Sequence, residues 1–140
     1  MDVQITGDAA AELESLSALH PRPSGWGVLI GHVRGRRVFV ERVFFPGAGT
    51  PLPSLESFEK LAELWNGRVV GLLAVRPDAA FKRFLLGAYF YGQLFLDVRP
   101  SRSGPVLKAY VVEFDRVFHL SPVPLEYGSK GGTHERTFDA

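Results

Sequence analysis

Apolar residues recur along the chain first at helical and then at strand spacing. Val3 to Thr6 reads as a short edge strand, and Gly7-Asp8 opens a helix in which Asp8 serves as N-cap or first-turn anion. Ala9, Leu13, Leu16 and Leu19 or His20 mark one face of that helix, and Pro21 and Pro23 stop it. Trp26 to Val33 is a nearly continuous apolar run, the pattern of a strand covered on both faces. Arg34-Gly35 is a turn signal, and Arg37 to Phe45 returns as a second strand, with Val38 and Val40 on one face and Phe39, Val43 and Phe45 on the other.

A loop rich in Pro and Gly follows from Pro46 to Pro53. Ser54 is placed to cap a second helix whose stripe is Leu55, Phe58, Leu61, Ala62 and Trp65, with Glu56 and Lys60 as an i,i+4 pair and Asn66-Gly67 at its end. Arg68 to Val75, which contains Val-Val-Gly-Leu-Leu-Ala-Val, has the composition of the most buried strand. Pro77-Asp78 begins a short third helix with Phe81, Phe84 and Leu85 on one face. Strands are expected from Tyr91 to Val98, from Val106 to Phe114 and from Val117 to Leu120. From Ser121 the composition turns Pro-rich, then Gly-rich and polar, so a domain over 1–121 and a flexible tail over 122–140 are expected. Helices on both sides of a mixed sheet predict an α/β fold, a three-layer α/β/α sandwich.

Composition narrows the function classes. The chain has 140 residues, the size of one domain, and 46% of them are hydrophobic, enough for a packed core. A net charge of +1 selects neither nucleic acid nor an acidic membrane. The absence of cysteine excludes disulfides, thiolate metal sites and cysteine nucleophiles. Neither a signal sequence nor an apolar run of membrane-spanning length is present, so the expectation is a soluble cytoplasmic protein without membrane contact.

The order of elements, and several local patterns, resemble the JAB/MPN (JAMM) isopeptidase family, whose fold is cytidine-deaminase-like. That family carries Pro-x-Glu-x-x-Gly-Leu-Leu-x-Gly after its first helix. Here the stretch reads Pro23-Ser24-Gly25-Trp26-Gly27-Val28-Leu29-Ile30-Gly31. Its central apolar strand runs into His-x-His-Pro, where this chain has Ala74-Val75-Arg76-Pro77. The resemblance spans roughly Ile5 to Phe114 and implies that the family's four chemical roles are lost together. Ser24 stands where the family has its general acid/base Glu, and Ala74 and Arg76 stand where it has its two His ligands. No Ser-x-x-Asp follows, since Asp78 is the only acid between Pro77 and Tyr91. A catalytic zinc takes about three protein ligands, which these positions do not supply. The resemblance therefore implies a metal-free, cofactor-free, non-catalytic module that holds a protein partner or a second copy of itself. The alternative is a hydrolase with a displaced site. Arg76 is then a candidate anion-binding group in the degenerate pocket.

Other constellations are weaker. His20, His32, His119 and His134 lack the short spacing of a compact metal site. Gly25, Gly27 and Gly31 sit in a strand pattern, where close packing of a helix explains them better than a phosphate loop does. Arg34, Arg36 and Arg37 beside Phe39 read as an exposed hairpin tip rather than an RNA contact. Asp97 and Glu113 lie on strands, and paired-carboxylate chemistry requires them to share a cleft. No Gly-x-Ser-x-Gly elbow is present. Phe81, Tyr89, Phe90 and Tyr91 form the best candidate partner surface, because aromatic residues are enriched in interface cores.

Overall fold

The computed structural model describes residues 1–19, 25–46, 52–128 and 135–138. In chain order these form β1 (Asp2–Ile5), α1 (Gly7–Leu19), β2 (Gly25–Arg34), β3 (Arg37–Phe44), α2 (Leu55–Glu63), β4 (Val69–Val75), α3 (Ala79–Leu85), a 3-10 turn (Ala88–Phe90), β5 (Leu94–Arg99), β6 (Val106–Asp115), β7 (Val117–Val123), β8 (Leu125–Gly128) and β9 (Glu135–Phe138). No helix among the described residues is long and apolar enough to cross a membrane.

Local chemistry sets the helix ends. Thr6, not Asp8, occupies the N-cap of α1: its Oγ1 accepts from the Ala9 N–H at 3.4 Å and its carbonyl from Ala10 at 2.8 Å, while Asp8 sits in the first turn. Ser54 caps α2 by accepting from Ser57 N–H, and Asp78 caps α3 by accepting from Phe81 N–H at 2.9 Å. Asn66 and Gly67, at φ 49° and 74°, turn the chain after α2.

The strands pair in the order β7-β6-β5-β4-β2-β3-β1-β8-β9. β1 runs parallel to both β3 and β8, and β4 parallel to β5; the remaining neighbours are antiparallel. Only Pro124 separates β7 from β8. The first pairs with β6 through Ala109↔Val123, and the second with β1 through Val3↔Leu125, so one continuous run serves both flanks of the sheet. The result is a mixed, nearly closed, barrel-like sheet in which β7 and β8 count as one of eight staves. This corrects the three-layer sandwich. Helices do lie on both faces, but the sheet between them curls and its flanks are bridged, because β1 and β8 insert pairings that the order of elements does not reveal. β1 is accordingly an interior strand rather than an edge.

Two buried clusters follow from strand alternation. The inner one joins Leu29, Val38, Val40, Leu73, Val75, Leu94, Leu96, Val98, Leu107, Ala109 and Val111 to Ala9, Ala10, Leu13 and Leu16 of α1. The outer one joins Trp26, Val28, Ile30, Leu72, Ala74, Phe95 and Val112 to Phe58 of α2, Phe81 and Leu85 of α3, and Phe90. Val123, Leu125 and Tyr127 are also buried in the inner core, which corrects the tail expected over 122–140: β7 crosses that boundary, and β8 and β9 extend the sheet.

An irregularity in β2 reshapes its neighbours. Ile30↔Arg42 is followed by Gly31↔Val40, leaving Glu41 as the extra residue on β3. Leu29↔Gly71 is followed by Ile30↔Val69, leaving Val70 extra on β4. A bulge inverts the alternation beyond it. Val43 and Phe45 thus pack on the inner core with Val38 and Val40, a correction to the opposite faces expected. The glycines of β2 answer to strands, not to a helix. A Cβ on Gly27 would stand 2.7 Å from the Phe44 carbonyl oxygen, and one on Gly31 would overlap the Phe39 carbonyl oxygen.

The closing run is anchored across the core. The Tyr127 hydroxyl donates to the Ala10 carbonyl at 3.0 Å and meets the Glu14 carboxylate at 3.4 Å, 117 and 113 residues away in sequence. Burial, followed by the Glu14 charge, raises the phenol well above its ordinary value. Tyr127→Phe is expected to lower the urea midpoint by the equivalent of about 1 kcal/mol with the slope unchanged, since a buried acceptor loses its donor while the ring still packs.

Candidate functional site

The C-terminal ends of the parallel pair β4 and β5 meet the start of β2. In register, Trp26 stands beside Ala74, Ala74 beside Asp97, and Asp97 beside Lys108. All four positions lie on the outer face. Ala74 is 2% exposed, enclosed in the cluster with Trp26, Phe81 and Phe95. Its neighbour Asp97 is buried, and among the described residues it is the one buried charged group. The Asp97 carboxylate is paired with Arg99, with Nε 3.2 Å from Oδ1 and Nη2 3.3 Å from Oδ2. The Oδ1 contact meets the distance of an ion pair but not the angle of a hydrogen bond, whereas Nη2 donates a hydrogen bond to Oδ2.

Arg76 follows β4 directly. It is exposed, adopts φ 52° in the left-handed region, and donates its backbone N–H to Val98 at 3.0 Å. Pro77 disfavours the right-handed helical region for the residue before it, and the turn lets Asp78 cap α3. The structure thus places Ala74 inside and Arg76 outside at one end of β4, next to the beginning of β2. Ser24 lies outside the described residues.

Of the four aromatic residues expected on a partner surface, Phe81 and Phe90 are 5% and 1% exposed and belong to the outer core. They are corrected to core residues: α3 and the 3-10 turn point them at Phe95 and Phe58, with ring centroids 5.5 and 5.2 Å away. Tyr89 and Tyr91 are exposed. Partial burial and the charges of Glu59 and Glu63 raise the Tyr89 phenol above its usual value.

Tyr91 shares an open groove of about 320 Å³ with Ala88, Phe114 and Phe118. Tyr91 is 60% and Phe114 54% exposed, and the Phe114 and Phe118 rings lie 4.8 Å apart. Sequence reading missed Phe114 and Phe118, although the even positions Tyr110, Val112 and Phe114 carry the signal, being apolar on the same face of β6 as the aromatic segment. Asp97 and Glu113 are on opposite faces. Glu113 shares the parity of Val111, is exposed, and accepts from Ser121 Oγ at 3.0 Å, so no paired-carboxylate cleft forms.

A second polar cluster sits on the bulge. Glu41 Oε1 accepts from His32 Nδ1 and from Arg68 Nη2, each at 2.9 Å. His32 stacks on Phe39 at 4.9 Å, and Arg34 lies 5.8 Å above the same ring. The residue inserted by the bulge thus ties the hairpin to the start of β4. Among the described residues no group of three His, Cys, Asp or Glu side chains is arranged to hold a metal ion.

Neither a family model nor a curated protein matches this chain. The solved structures include a similar one, the solution structure of protein DSY2949 from Desulfitobacterium hafniense. It is 19% identical, covers 96% of this chain and 99% of its own, and superposes with a TM-score of 0.63. At that identity the likeness concerns the fold.

Hydrogen bonding to His32, and secondarily to Arg68, holds the Glu41 carboxyl below its usual value. A depressed folded-state value means that the stabilisation is complete above the unfolded carboxylate range and is lost as pH falls through the folded value. Both partners are about half open to solvent, so Glu41→Gln is expected to cost no more than about 1 kcal/mol at pH 7. The gap to wild type should close on acidification, read from urea midpoints across a pH series.

Proposed function

We propose that the chain is a non-catalytic protein-binding module whose sequence pattern resembles that of JAB/MPN isopeptidases. The observation that carries this reading is the groove of Ala88, Tyr91, Phe114 and Phe118. Its two outermost rings are more than half exposed. Large apolar side chains left in one contiguous patch lose hydrophobic stabilisation that a partner can restore.

The degenerate positions support the same reading. Where the family places a ligand, Ala74 is enclosed by Trp26, Phe81 and Phe95, and a polar ring there would intrude on an apolar cluster. Arg76 brings a cation to the neighbouring position. The alternative, a hydrolase with a displaced site, needs an acid–base pair. The buried Asp97 is instead neutralised by Arg99, on the face opposite Glu113.

Two measurements test the proposal. Protein equilibrated with zinc and then freed of excess metal should retain far less than one equivalent. Stoichiometric zinc that His32→Ala or His119→Ala removes would sink the non-catalytic reading. The folded protein should also bind a hydrophobic dye, and Phe114→Ser should weaken that binding severalfold without moving the thermal midpoint. Unchanged dye binding would remove the groove from the argument.

A further inference from the structure

The groove of Phe114 and Phe118 runs up to β7, whose far side pairs with none of the described residues. Gly92 N–H donates to the Val112 carbonyl at 2.8 Å, and Val112 N–H to the Gln93 carbonyl at 3.0 Å, so Val112 turns its backbone groups toward β5. Backbone groups along a strand alternate sides, so the odd-numbered residues of β6 bond to β7. The register Val111↔Ser121 and Glu113↔His119 then directs the odd residues of β7 toward β6. The even residues Phe118, Leu120 and Pro122 direct theirs away. Farther along the same run, the Pro124 carbonyl accepts from Val3 of β1 at 2.9 Å, which confirms the side on which the even residues face. β1 starts at Asp2 and runs away from β7, and among the described residues nothing pairs with this side of Phe118 to Pro122.

We infer that the open edge of β7 pairs antiparallel with the same edge of a second copy of the chain, about a two-fold axis at His119. The inference rests on the reading of the chain as a binding module and names its partner. Only Phe118 and Leu120 present both an outward donor and an outward acceptor. Pro122 lacks the N–H, and at the other end Arg116 leaves the extended conformation, with φ 66°. A two-fold centred on His119 sets Phe118 of each copy against Leu120 of the other. That register satisfies all four outward N–H and C=O groups of each copy and leaves the deficient Pro122 outside. A register centred on Leu120 would instead set Pro122 against Phe118 and strand its carbonyl.

Side chains agree with this register. Phe118 and Leu120 lie half-buried on the outer face as a continuation of the apolar patch, so the two grooves merge across the axis. The two His119 rings meet at the axis, each with its own Glu113 carboxylate 3.9 Å away. Four backbone bonds and a small apolar patch define an interface at the low end of the size range, with affinity expected in the micromolar range.

Sedimentation equilibrium from about 1 µM to about 1 mM should show a monomer–dimer equilibrium. Leu120→Pro removes an N–H that points away from β6 and pairs with none of the described residues. It should weaken the dimer at least tenfold while far-UV dichroism and the thermal midpoint stay near wild type. Phe118→Glu, which leaves the backbone intact, should do the same and carries the test if the proline variant fails to fold. A wild-type monomer across the whole range, or a dimer that Phe118→Glu leaves intact, overturns the inference. Failure here with zinc-free protein leaves a binding module with a different partner, whereas zinc uptake sinks that reading whatever the oligomeric state.

Discussion

The backbone bond from Val3 to Pro124 joins the two flanks of the sheet, and most of the architecture depends on it. Up to Pro124 the chain belongs to β6; beyond it, the same run belongs to β1. Once one stave serves both flanks, the inner face becomes enclosed, and every inward position must be apolar. From Val3 to Leu125 the buried inner positions are Leu, Val, Ala and Ile, with the Phe45 ring packed against them; Tyr127 is the buried residue with a polar group, and its hydroxyl is bound to Ala10. Proline suits the junction because one side of Pro124 lacks a donor while its carbonyl serves β1. α1 then fills the interior with its alanine and leucine stripe, so the longest helix acts as core rather than as a covering layer.

Some of this was written plainly in the sequence. The hairpin at Gly35, the Ser54 cap, the helix start at Pro77-Asp78 and the Asn66-Gly67 stop are local devices, each built within a few residues, and the structure has them where the pattern puts them. What could not be read is long-range. Asp2–Ile5 is too short for its alternation to say that it lies between two parallel partners. Leu125 and Tyr127 are embedded in a Pro- and Gly-rich stretch whose composition points to a tail. The single residue added at Glu41 turns Val43 and Phe45 inward, and nothing in the alternation of Arg37 to Phe45 marks where the slip occurs.

The site was legible to a similar depth. The strand that runs into Arg76-Pro77 ends beside the first residues of β2. The chemistry around it was not legible, because it depends on register: Ala74 faces Asp97 only through the parallel pairing of β4 with β5. Asp97 sits in a strand segment, Leu-Phe-Leu-Asp-Val-Arg, whose alternation permits a solvent-facing carboxylate. α3 covers that end of the sheet, and Arg99, two positions on and on the same face, supplies the neutralising charge.

The outer face shows why aromatic side chains remain exposed on this fold. α2, α3 and the 3-10 turn place Phe58, Phe81, Leu85 and Phe90 over β2, β4 and β5. Three short helical pieces cannot also reach across β6 and β7, yet those strands keep the apolar outer positions of a covered sheet: Tyr110, Val112, Phe114, Phe118 and Leu120. A sheet that only needed to face water would carry polar residues there, as the odd positions Glu113 and Asp115 of β6 do beyond the inner core. Aromatic residues continue past the last covering helix and stop where Pro122 interrupts the open edge. The apolar face therefore coincides with backbone groups that pair with none of the described residues, and one contact satisfies both.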